Sequence, residues 1–129
     1  MRFLNSTLHG YIDYAAALAL IIAPFFFLPA SAPAIATWLS VAAGSALIVY
    51  SLITDYSASV RRAIPFPVHL AIDLTAGLAF VLAPLALGFE GLTQLYYQVM
   101  GGAIILVVLV SSPRTTREEK LPGHPVEVA

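Results

Sequence analysis

The chain contains no cysteine, which removes disulfide frameworks, thiolate metal sites, iron–sulfur clusters and cysteine nucleophiles. Charge is nearly as scarce: 10% of the 129 residues are Asp, Glu, Lys or Arg, against about 25% in an ordinary soluble domain. The net charge of −1 offers no cationic excess for phosphates, so nucleic acid is not a partner. No glycine loop for nucleotide phosphates and no Ser/His/Asp constellation is present, and an enzyme is not the expectation. What the chain has instead is apolar mass, at 60% of residues. A soluble domain of this length leaves about a third of its chain surface facing water, so a chain this apolar would expose large adhesive patches. The composition therefore points to an integral membrane protein, with the lipid bilayer as its first partner.

A helix needs about 20 mostly apolar residues to cross the hydrocarbon core, and the sequence offers four candidate spans, at about 8–28, 35–53, 68–87 and 95–110. Turn signals separate them: Pro29, Ser31 and Pro33 after the first, Pro65 and Pro67 before the third, Gly88 and Gly91 after the third. Every cation lies at Arg2, at Arg61 and Arg62, or in the tail at Arg114, Arg117 and Lys120. With an even number of spans these three segments share one side, and the enrichment of cytoplasmic loops in Lys and Arg makes it the cytoplasmic one. Arg2, the following apolar run and Ala30-Ser31-Ala32 imitate a secretory signal, but the run is too long and contains Asp13.

Sliding the sequence against itself by 60 positions places His9 on His69, Asp13 on Asp73 and Pro24 on Pro84. Ile12/Ile72, Ala16/Ala76, Leu18/Leu78, Ala19/Ala79 and Ala23/Ala83 also coincide. At about 100° per residue all of these except Leu18 fall within an arc of about 140°, one helix face, which is expected to point into the bundle. The second and fourth spans repeat more weakly: Ala42-Ala43-Gly44-Ser45 and Gly101-Gly102-Ala103 permit close helix approach, and hydroxyls end both, at Thr54 and Ser111-Ser112. The fold class expected is all-α, four transmembrane helices as a tandem repeat of two-helix hairpins, with a pseudo-twofold axis along the membrane normal. The units are 1–60 and 61–112, followed by a flexible cytoplasmic tail, 113–129, in which His124 reads as a solvated residue.

This two-helix unit, opening His-x-x-x-Asp and closing its first helix with a small residue and proline, resembles the SPW-repeat integral membrane proteins of bacteria. The Ser-Pro-Trp triplet of that family reads Ala23-Pro24-Phe25 and Ala83-Pro84-Leu85 here, so only proline is kept. The resemblance covers nearly all of residues 5–113 and implies an architecture and a bacterial inner-membrane location, with no activity attached.

Intramembrane ionisable groups are the default place to look for function. His9 with Asp13 and His69 with Asp73 each share a helix face near the cytoplasmic boundary, and Asp55 adds a third carboxylate on that side. The group His9, Asp13, Asp55, His69 and Asp73 reads as a divalent-cation site, as a proton relay, or as buried packing residues. No cofactor is predicted outright: His9, Asp13, His69 and Asp73 are the candidate metal ligands, and haem is disfavoured. Pro24 and Pro84 free the carbonyls of Leu20 and Phe80, either as helix kinks or as lining of a cation path. Trp38, Tyr96 and Tyr97 read as aromatic anchors at the external interface, and Tyr11, Tyr14, Tyr50 and Tyr56 as their cytoplasmic counterparts. The function expected is structural, accessory or scaffold, with a homo-oligomer or a membrane-protein partner. The alternative is a small ion or proton-coupled transporter, or a metal-binding membrane protein, using the two His/Asp pairs.

Overall fold

The computed structural model describes residues 2–113; Arg114, Arg117, Lys120 and His124 of the tail lie outside them. The described chain is helical: α1 Ser6–Ile22, α2 Pro24–Phe27, α3 Ala34–Leu52, α4 Phe66–Leu87 and α5 Gly91–Val110. The starts and stops follow local chemistry. The Asn5 side chain accepts from the Leu8 N–H at 2.9 Å and caps α1. Pro33 and Pro65 occupy the positions just before α3 and α4, and Pro67 lies in the first turn of α4, where a missing N–H costs nothing. Gly88 ends α4 in the left-handed region at φ 70°, a conformation that favours glycine, and its N–H returns to the Pro84 carbonyl.

Three helices, α3, α4 and α5, are long and apolar enough to cross a membrane, and α1 is a shorter apolar helix. The single first span expected at 8–28 is divided at Ala23. Pro24 has no N–H to give the Leu20 carbonyl, and the chain restarts as the one-turn α2. Pro84, its counterpart in the repeat, stays inside α4. The carbonyl freed at Leu20 accepts instead from the Ser40 hydroxyl of α3 at 2.7 Å.

Helix α1 packs chiefly on α3, and α4 on α5. Both contacts run through glycine. A Cβ at Gly44 would lie 2.6 Å from the Ala17 carbonyl oxygen, and one at Gly101 2.6 Å from that of Gly77, so the backbones approach as closely as only glycine allows. The two pairs are laced together at their ends. At one end Leu4 pairs with Ser111 and Ile64 with Thr54, each a parallel bridge from the residue entering one pair to the residue leaving the other. At the other end α5 reaches α3, where the Tyr97 hydroxyl donates to the Ala36 carbonyl at 2.5 Å and Tyr96 meets Ser40 at 2.6 Å.

The distribution of polarity is inverted relative to a soluble protein. His9, Asp13, Ser40, Ser51, Thr54, His69, Asp73 and Ser111 are all buried, while Leu18, Phe26, Val49, Leu82, Leu85, Leu106 and Leu109 are exposed. Outward apolar side chains around inward polar ones suit a solvent of acyl chains, in which polar groups must find partners internally.

Candidate functional site

Helices α1 and α4 each contribute a His and, one turn later, an Asp, and these four buried side chains meet between the two helix pairs. His9 Nε2 lies 3.2 Å from Asp13 Oδ1 on its own helix and 3.1 Å from Asp73 Oδ2 across the pair boundary. His69 Nε2 mirrors this, 3.1 Å from Asp73 Oδ2 and 2.9 Å from Asp13 Oδ2. The four groups form a ring in which every His touches both carboxylates. One donor atom from each lies within 4.8 Å of the others, so the set is able to hold a metal ion.

The outer nitrogens of both rings are fixed by the hydroxyls that end α3 and α5. Ser111 Oγ donates to the Val107 carbonyl at 2.6 Å, which leaves it to accept from His9 Nδ1 at 2.7 Å. Thr54 Oγ1 donates to the Tyr50 carbonyl at 2.6 Å and in the same way accepts from His69 Nδ1 at 2.7 Å. Each Nδ1 therefore carries hydrogen, and each Nε2 faces the carboxylates. His69 Nε2 is fully buried, yet its axis is aimed at neither neighbouring carboxylate closely enough for a hydrogen bond. Two phenols complete the surroundings: Tyr50 donates to Asp73 Oδ1 at 2.5 Å and Tyr56 to Asp13 Oδ2 at 3.2 Å. Burial raises the pKa of Tyr56, in the loop after α3, which keeps it a donor. Phe66 closes the site, stacked on His69 and edge-on to His9.

Of the residues singled out from the sequence, His9, Asp13, His69 and Asp73 come together and Asp55 does not. Asp55 is half-buried in the loop after α3, where its Oδ1 lies 3.7 Å from the exposed Arg62 Nε. The aromatic reading is corrected in part. Tyr96 and Tyr97 are buried and hydrogen-bonded to α3, and Tyr50 and Tyr56 serve the carboxylates, so none of these four is a free interfacial anchor. Trp38 and Tyr11 are exposed. Tyr14 is half-buried and donates to the Ala58 carbonyl at 2.7 Å. Reasoning from sequence did not place the two phenols at the site, although hydroxyls at the ends of both second helices were a legible signal for Thr54 and Ser111.

Above the ring, a cavity of about 140 Å³ separates the helix pairs, bounded by Asp13, Leu20, Leu47, Tyr50, Asp73 and Phe80 among others.

Apolar surfaces, membrane-length helices and an internal polar cluster define a helical membrane protein. Residues 7–112 match the SPW repeat domain, and the chain belongs to that family. No curated protein and no solved structure matches it.

Proposed function

We propose that the protein is a structural or accessory membrane protein, a four-span bundle of two tandem hairpins clasped at their cytoplasmic ends by the His/Asp ring. One observation carries this reading: His9 of the first pair contacts Asp73 of the second, and His69 of the second contacts Asp13 of the first. The polar groups are spent on joining the pairs. The tandem-repeat reading draws support from the reciprocal bridges Leu4 to Ser111 and Ile64 to Thr54, because a pseudo-twofold axis exchanges one with the other. The four-span reading takes α1 and α2 as one crossing. Alone, the 17 residues of α1 rise about 26 Å, and the extra turn of α2 brings the length near the roughly 30 Å of hydrocarbon.

A double-mutant cycle on His9→Gln and Asp73→Asn tests the clasp. A coupling of about 0.5–3 kcal/mol in micelle unfolding is expected, as is collapse of the folded assembly when Asp13→Asn and Asp73→Asn are combined. A double Asn protein that stays folded and assembled while losing a transport or redox activity refutes the structural role. Orientation is testable on the cysteine-free background. Cysteine placed at Val60 should react with an impermeant maleimide only from the cytoplasmic side, and cysteine at Glu90 only from the outside.

A second reading, passage of an ion, is favoured by the cavity that reaches Asp13 and Asp73 from between the pairs. Cation flux into proteoliposomes above that of the Asp13→Asn protein supports it, and equal flux dismisses it.

A further inference from the structure

We infer that His9, Asp13, His69 and Asp73 form a tetrahedral site for one divalent transition-metal ion of the zinc class. This deepens the clasp reading and rests on it for the location of the site. The donors are two imidazoles and two carboxylates with no thiolate, a set suited to zinc, iron or manganese and not to copper(I). A tetrahedral ion with bonds of about 2.0–2.1 Å holds its donors about 3.3 Å apart. The four nitrogen–oxygen contacts of the ring measure 3.2, 3.1, 3.1 and 2.9 Å, with Asp13 meeting His9 through Oδ1 and His69 through Oδ2. One donor atom from each residue lies within 4.8 Å of the others, so the ion is admitted when Asp13 turns one oxygen to the centre and the donors across the ring draw together.

Orientation is already set. With Nδ1–H of each ring held by Ser111 or Thr54, Nε2 is the nitrogen that faces the ring centre, and loss of the proton that His9 Nε2 donates to Asp73 Oδ2 frees its lone pair for the ion. Outer partners of this kind are what a metal-bound histidine requires, and Tyr50 and Tyr56 hold the carboxylates in the same manner. The buried Nε2 of His69, within 3.1 Å of two carboxylates and hydrogen-bonded to neither, is an unsatisfied donor atom that a cation would satisfy. Charge agrees as well. Among the described residues no Lys or Arg contacts Asp13 or Asp73, and the one Arg–carboxylate pair nearby is Arg62 with Asp55. A divalent ion would take the place of the protons with which the two imidazoles otherwise balance the two carboxylates.

The test is metal binding by the full chain purified in detergent and stripped with chelator. Zn²⁺ is titrated calorimetrically, and metal content is measured after desalting. One Zn²⁺ per chain, a higher unfolding temperature with Zn²⁺, and visible bands of a tetrahedral nitrogen–oxygen field with Co²⁺ are expected. His9→Gln combined with His69→Gln should abolish the binding, and His124→Ala in the tail should leave it unchanged. Should the double Gln protein not fold, Thr54→Val with Ser111→Ala keeps all four ligands and is expected to weaken affinity about 10–100-fold. Folded wild-type protein that takes up no stoichiometric Zn²⁺ overturns the inference, as does binding that survives loss of both histidines or is indifferent to loss of both hydroxyls. The clasp fails by a different result, an Asp13→Asn/Asp73→Asn protein as stable as wild type in the absence of metal.

Discussion

Two adjacent glycines in α5 should respond in opposite directions to the same substitution. A Cβ on Gly101 would sit 2.6 Å from the Gly77 oxygen, 2.8 Å from the Val81 nitrogen and 2.9 Å from Phe80 Cβ. Backbone atoms cannot swing aside, so α4 must retreat by about 0.8 Å to reach the shortest ordinary contact of 3.4 Å. Overpacking of that kind costs about 1–3 kcal/mol, against which alanine returns up to about 1 kcal/mol of helix propensity. Gly101→Ala should thus lose up to about 2 kcal/mol net. Gly102 has nothing within 4 Å of its hypothetical Cβ, so Gly102→Ala keeps the propensity gain alone and should be stabilised by up to about 1 kcal/mol. Unfolding in mixed micelles followed by circular dichroism reads both. A Gly101→Ala protein as stable as the Gly102→Ala protein refutes the close backbone contact between α4 and α5.

Further outcomes follow from single hydrogen bonds. Ser40→Ala strands the Leu20 carbonyl and the Tyr96 hydroxyl together and should cost about 1–3 kcal/mol in the same unfolding assay, whereas Ser45→Ala, whose hydroxyl donates to the Val41 carbonyl of its own helix, should stay within about 0.5 kcal/mol of wild type. Tyr50→Phe removes the 2.5 Å bond to Asp73, a charged acceptor, and should cost about 1.5–3 kcal/mol. Ala17 is fully buried against Gly44, so Gly44→Ala should repeat the Gly101→Ala result in the first helix pair; a neutral outcome there would mean that the two pairs pack differently.

Much of this protein could be read before any coordinates. Scarcity of charge and abundance of apolar residues set the solvent, because burying that much apolar surface needs lipid on the outside. The 60-residue offset marked His9, Asp13, His69 and Asp73 as a group, since rare residues do not fall in register without a shared environment. Helix limits were legible at Pro33, Pro65 and Gly88, where local backbone chemistry decides. A kink was legible at both Pro24 and Pro84; that the helix breaks at the first and runs through the second was not, because the two prolines look alike in sequence.

Tertiary structure alone decided which partner each of those residues takes. Spacing puts His9 one turn from Asp13, but only packing of the two pairs brings it equally near Asp73. The same packing separates Asp55 from the ring and gives it to Arg62, although sequence position made it look like a fifth member. Tyr50, Tyr56, Tyr96 and Tyr97 turn inward for a reason that no window of sequence contains. A tyrosine belongs to a membrane interface or to a buried hydrogen bond according to whether an acceptor from another helix stands in front of its hydroxyl. Here Asp73, Asp13, Ser40 and the Ala36 carbonyl do.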